Sequence, residues 1–170
     1  MKQTLFIVIL ALGLSSMASA QQEKIGFFSS SQLVSFFPEA KTIQAEIEKI
    51  STEKQAIGTT LENELKSKLK KFEEEKASMA TILQETRIEE IRNLETKIQT
   101  YYANARKEID NKRQELLKPV FTKINDGIKQ VAKKHKFTAI IDLDSGRQFL
   151  LYIDESRDIL ELMKTELGLE

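Results

Sequence analysis

The chain has no cysteine and no tryptophan, a single histidine, two prolines and six glycines in 170 residues. Without cysteine there is no disulfide scaffold, no thiolate zinc site, no thiol nucleophile and no thiol-anchored lipid. One histidine leaves little room for a His-rich metal centre or a Ser-His-Asp relay. So few glycines and prolines argue against a loop-rich β-sandwich and against a disordered linker protein. An excess of one charge is missing as well. The 26 Lys and Arg balance 26 Asp and Glu, which removes the usual electrostatic ground for nucleic-acid binding. What remains is a chain with 31% charged residues and few breakers, the composition of long, solvated helices.

The first twenty residues read as an address. Met1-Lys2 gives a short positive start, Leu5 to Leu14 is an apolar run, and Ala18-Ser19-Ala20 places small residues where a signal peptidase reads. The run is too short for a membrane span, which needs about 20 apolar residues. A secretory signal peptide over 1–20, cleaved after Ala20, is expected, with export to a bacterial periplasm. One lysine goes with it, so the remaining 150 residues carry a net charge of −1.

Three segments follow. In 21–41, Ile25 and Phe27 share one face of an extended stretch, Ser29, Ser30 and Ser31 are candidate helix caps, and Pro38 suits the first position of a helix. From Glu39 to about Lys136 the only proline is Pro119, so this span is read as helix. Its apolar positions Ile43, Ile47, Ile50, Ile57, Leu61, Leu65, Leu69 and Phe72 begin as a heptad seam and drift towards an 11-residue spacing. A second set runs from Ile91 to Val131. Two narrow stripes cover each other best in a hairpin. The phase lapses at Glu75–Thr86, where Thr81 with Gln84 resembles a capping box. The spacing therefore predicts an antiparallel arm over 42–118 with its tip near 77–82. Gly58 reads as a flexible point, and Pro119 as a kink or the end of the arm. The arm holds 15 basic and 15 acidic residues.

In the last segment, 119–170, Ala139, Ile141 and Leu143 alternate, as do Phe149, Leu151 and Ile153. Asp144-Ser145-Gly146-Arg147 between them is a turn sequence. A β-hairpin over 138–153 and a final helix over 156–167 are expected. The fold class is α+β, mostly α: a long coiled-coil hairpin on a small β-rich body. Three short strands and one helix leave sheet edges and an apolar face open, so the body is expected to self-associate. Ile25, Phe27, Ile141, Leu143, Phe149 and Leu151 are the candidates for sheet core and subunit contacts.

IGFFSSSQLVSFFPEA, then a charged helical hairpin, then QELLKPVFTKINDGIKQVAKKHKFTAIIDL and a terminal helix, together resemble the Skp (OmpH-like) periplasmic chaperone family over essentially the whole exported chain. The resemblance implies a homotrimer in which a β-body carries three helical arms around a cavity. It implies a holdase that takes up unfolded outer-membrane proteins without ATP or any cofactor. The strongly basic character of well-known members is absent here, so membrane or lipopolysaccharide contact is not carried over. Phe72, Met79, Ile82 and Leu83 near the tip, with Tyr101 and Tyr102, are candidate client contacts. Since the tyrosines are adjacent, one of them is expected to point away from the seam. The main alternative is a structural or adaptor coiled coil of the envelope with a folded partner. An enzyme is disfavoured, because no nucleophile and base are paired. His135 reads as a helix-end cation, and Asp142 and Asp144 read as turn-capping carboxylates before they read as an acid–base pair or a metal site.

Overall fold

The computed structural model describes residues 23–146 and 149–169. The expected signal peptide and its cleavage site lie outside them.

Strand β1, Ile25–Phe28, opens the described chain and leads into helix α1, Ser30–Ser35. Ser29 caps α1 by accepting the Gln32 N–H at 3.2 Å. Helix α2, Pro38–Glu75, carries proline in its first turn, where the missing N–H costs nothing. A single 3-10 turn, Lys76–Ser78, reverses the chain. Helix α3 then runs unbroken over 55 residues, Thr81–His135. At 1.5 Å per residue it is roughly 80 Å long. Strand β2, Ala139–Asp142, short helix α4, Leu143–Gly146, a 3-10 turn at Glu155–Arg157 and helix α5, Leu160–Leu167, complete the fold.

Pro119 does not end the helix: α3 continues through it into the body. The body is built on that continuation. Val120, Ile124 and Val131 of α3 meet Phe28 of β1, Leu33 of α1, Phe37, and Ile159, Met163 and Leu169 around α5, all of them buried. These contacts secure α3 on both sides of the one hydrogen bond that Pro119 cannot make. His135 ends the helix, and Lys136 adopts the left-handed conformation at φ 56°.

The sheet differs from the expected hairpin. β1 pairs with β2 in parallel, Ile25 opposite Ala139 and Phe28 opposite Asp142. Among the described residues, 149–153 form no strand; Phe149 and Leu151 face solvent. The terminal helix starts at Leu160, because Glu155–Arg157 forms a separate 3-10 turn under an Asp154 cap. Both faces of β1 are packed, and Phe27 is buried as expected at 8% exposed. Phe28 is 1% exposed and belongs to the central cluster, whereas Ile25 is only half-buried. Gly26 shares the Phe28 face. A Cβ there would stand 2.9 Å from both Ile159 and Phe137, so glycine lets the strand lie directly on these side chains.

Candidate functional site

Two features of the fold have no enzymatic look: the arm, and an apolar edge at its foot. The arm seam is best read from burial. The outgoing positions that turn inward are Ile43, Ile47, Ile50, Lys54, Gly58, Leu61, Leu65, Lys68 and Phe72, in steps of three and four throughout. Ile57 and Leu69, expected in the seam, lie on its flanks and are 51% and 39% exposed. The two lysines occupy seam positions by burying their stems and sending their charges to the other helix. Lys54 reaches Glu108 at 2.6 Å, and Lys68 reaches Glu90 at 3.2 Å. Lys123 pairs with Glu39 near the base. The carboxyls of Glu90 and Glu39 are held below their ordinary value, chiefly by these lysine hydrogen bonds. Such exposed pairs are screened by solvent and add little to stability, so they set register more than they set stability.

Midway along the arm both tyrosines turn to α2, so neither faces away as expected. The Tyr101 hydroxyl donates to the Lys54 carbonyl at 2.9 Å, and the Tyr102 hydroxyl donates to Glu62 at 2.9 Å. The hydrogen bond to Glu62 also raises the Tyr102 pKa. The Tyr102 ring lies on the backbone of Gly58, in the space a Cβ would need. Gly58 is therefore a buried seat for an aromatic ring and not a flexible point.

At the tip, the Thr81–Gln84 pair does not form a capping box. Ala80 occupies the cap position, and the Gln84 amide reaches back to the carbonyls of Lys76 and Met79 at 2.9 and 3.1 Å, closing the turn. Phe72, the last seam position of α2, and Met79 are half-buried. Ile82 and Leu83 are the apolar residues left open there, 72% and 42% exposed.

At the foot, Ile141 and Leu143 are half-buried and Phe27 is buried within its own chain. Phe149 and Leu151, by contrast, are 78% and 103% exposed, with Tyr152 beside them at 84%. Tyr152 escapes a reading based on alternation, which assigns it to the opposite face. The visible signal was the unbroken apolar run from Phe149 to Ile153.

Asp142 at the end of β2 and Asp144 in α4 tie this part of the body to the start of α1. Asp144 accepts from the Ser31 N–H at 2.6 Å and from the Ser29 hydroxyl at 3.0 Å. Asp142 accepts from the Ser30 N–H at 3.1 Å and the Ser30 hydroxyl at 2.8 Å. Both thus satisfy the free N–H groups at the start of α1 from a distant part of the sequence. The Ser31 N–H, followed by the serine hydroxyls, holds the Asp144 pKa below its ordinary 3.8. A carboxyl depressed on folding stabilises the protein above the unfolded value, and this contribution is lost as the pH falls through the folded one. Asp144→Ala is expected to lower stability to urea by about 1 kcal/mol at pH 7. The gap should close as the pH falls below about 4. A gap that persists at pH 2 would remove the charge from the explanation. His135 ends α3 with its ring Nε2 3.2 Å from Glu166, which Lys134 also contacts at 2.6 Å. The group is a clasp between α3 and α5.

Comparison with known proteins adds to this architecture. Residues 24–167 match the model of the family described as outer membrane protein (OmpH-like). The chain belongs to the OmpH-like family. A curated relative, the chaperone protein Skp of Yersinia enterocolitica, is 27% identical over 165 residues, covering 94% of each chain. The crystal structure of an OmpH-like protein from Caulobacter crescentus superposes with a TM-score of 0.58 at 20% identity. It covers 85% of this chain and 83% of the other, so the two share the fold. For this OmpH-like chain the mixed α and β class with a long helical hairpin is the family architecture. The Skp relative carries the name of a chaperone, a class without catalysis.

Proposed function

We propose that this OmpH-like protein is an ATP-independent holdase of the periplasm. As a homotrimer it encloses unfolded outer-membrane proteins between its arms and keeps them from aggregating. The observation that carries this reading is the pairing of a long, charge-balanced arm with a bare apolar edge at its foot, in a chain of the OmpH-like family. Phe149, Leu151 and Tyr152 expose more apolar surface than one short segment ordinarily leaves to water. Contact with other copies covers it and gathers the arms on one side of a shared body.

Holding without ATP requires many weak contacts in place of one tight site. Arms anchored to a common base supply them at high effective concentration. Each contact prevents a client's apolar segments and strand edges from meeting another client. Ile82 and Leu83, open at the tip, are client contacts in this reading, with Phe72 and Met79 behind them. Tyr101 and Tyr102 serve the arm itself.

The test is light scattering from a urea-denatured outer-membrane β-barrel protein diluted into buffer. One trimer per client is expected to suppress aggregation. Undiminished aggregation at that ratio would point instead to an adaptor with a folded partner. Because the arm is neutral, suppression should change by less than about threefold between low and high salt, where exposed charges are screened beyond roughly 3–10 Å. A steep loss with salt would contradict apolar holding.

A further inference from the structure

The exported chain is poor in oxidisable side chains. Cysteine and tryptophan are absent, and the methionines are Met1, Met17, Met79 and Met163. Met1 and Met17 fall within the expected signal peptide. Met163 is 0% exposed, in the core cluster that also holds Phe28, Leu33 and Ile124. Met79 is half-buried at the arm tip, and among the described residues it is the one thioether that reaches solvent. We infer that Met79 is a modification site: a peroxide converts it to the sulfoxide, and this weakens the tip's hold on clients. The site rests on the geometry of the chain, and its effect on clients rests on the holdase reading.

The surroundings of Met79 suit the reaction. It lines a pocket of about 160 Å³ between the end of α2 and the start of α3. That is room for several waters, and so for a peroxide little larger than water. Phe72 and Ile91 are the apolar part of the wall. Lys68, Lys71 and Arg87 bring N–H donors to it, with Glu75 and Glu90 beside them. Lys68 and Arg87 both pair with Glu90, and each has further N–H groups beyond that bond. In the reaction the sulfur lone pair attacks one peroxide oxygen and the O–O bond breaks. The second oxygen takes the proton of the first and leaves as water. Sulfur is oxidised by two electrons and the peroxide is reduced by two. The basic side chains suit both the departing hydroxide and the sulfoxide oxygen, which is a stronger acceptor than the thioether.

The turn keeps its backbone bonds through this change. The Met79 N–H donates to the Lys76 carbonyl at 3.3 Å, and the Gln84 amide donates to the Met79 carbonyl at 3.1 Å. Oxidation of the sulfur touches neither. What changes is the surface: a flexible apolar side chain near Ile82 and Leu83 becomes polar. A sulfoxide reductase returns the thioether at the expense of a dithiol, with the oxygen leaving as water.

The experiment treats the full exported chain with hydrogen peroxide and follows both methionine-containing peptides by mass spectrometry. Met79 is expected to gain one oxygen at least about tenfold faster than Met163, which reacts only when the body opens. In urea the two should react alike. The aggregation assay with a urea-denatured outer-membrane β-barrel protein reads the effect. Oxidation confined to Met79 should reduce client holding at least about threefold with helix content unchanged, and sulfoxide reductase should restore it. Met79→Leu should show no such loss between its own treated and untreated samples. Equal rates at Met79 and Met163 in the folded protein would overturn the site. Faster oxidation of Met79 with no loss of holding, or an equal loss in Met79→Leu, would overturn the effect on clients. A parent protein that suppresses no aggregation before treatment would overturn the holdase reading and that effect with it, while the two rates still decide the site.

Discussion

Leu151→Asp is expected to reduce the protein from the mass of an assembly to that of one chain, with its helices intact. Leu151 is 103% exposed, so nothing within the chain depends on it. A carboxylate there costs the isolated chain almost nothing. In an assembled body the same carboxylate would be enclosed by apolar neighbours, where an unpaired charge costs several kcal/mol. Such a penalty far exceeds a tenfold change per 1.4 kcal/mol in the association constant. Phe149→Asp should act in the same way. Holdase activity should fall with the mass, because separate arms no longer enclose a space. Native mass spectrometry reads the first effect and the aggregation assay the second. An unchanged mass in both variants would remove this edge from the interface.

The second large effect concerns Gly58. In an exposed helix interior, Gly→Ala stabilises by about 1 kcal/mol. Here the opposite sign is expected, a loss of about 1–3 kcal/mol, because the new methyl group collides with the Tyr102 ring and forces it from its seat. Displacement also breaks the bond from the Tyr102 hydroxyl to Glu62. The argument is specific enough to reverse: in a Tyr102→Ala background, Gly58→Ala should become stabilising. A double-mutant cycle in urea therefore measures the coupling directly. If Gly58→Ala stabilises the parent protein, the seat is not occupied as described.

Much of the architecture was legible because it rests on simple physical signals. The near absence of breakers and the apolar periodicity imply a long hairpin, and its turn lies at 76–80, which contains the small Ala77, Ser78 and Ala80. The errors have physical causes. Apolar character alone places the seam through Ile57 and Leu69. Lys54 and Lys68 hold seam positions through their stems, and Gly58 holds one by having no side chain at all. With these included the steps stay at three and four. Two successive fours, from Ile50 to Gly58, form one local stutter beside Tyr102. Phe27 and Phe28 are equally apolar and both are buried, so alternation alone does not single out Phe28 for the central cluster. The close packing that decides between them depends on Gly26, against Ile159 and Phe137.

The second half of the expected hairpin is instructive for a different reason. Phe149, Leu151 and Ile153 alternate as a strand does, yet β2 takes β1 as its partner, and the 149–153 segment is left without one among the described residues. Alternation reports that a segment suits a sheet. It does not report where the neighbouring strand comes from. Asp142 is the turn cap that the local sequence suggests, accepting from the Asp144 N–H at 3.1 Å and the Ser145 hydroxyl at 3.3 Å, but the longer reach of Asp142 and Asp144 leaves no local trace. They satisfy N–H groups at Ser30 and Ser31, more than a hundred residues away in sequence.

The holding of unfolded clients by an assembly is tested most directly by native mass measurement of the exported chain, with and without a urea-denatured outer-membrane β-barrel protein. The account predicts three chains alone and three chains plus one client in the mixture. A single chain in both samples, or an assembly that passes through the mixture with no client bound, would contradict it.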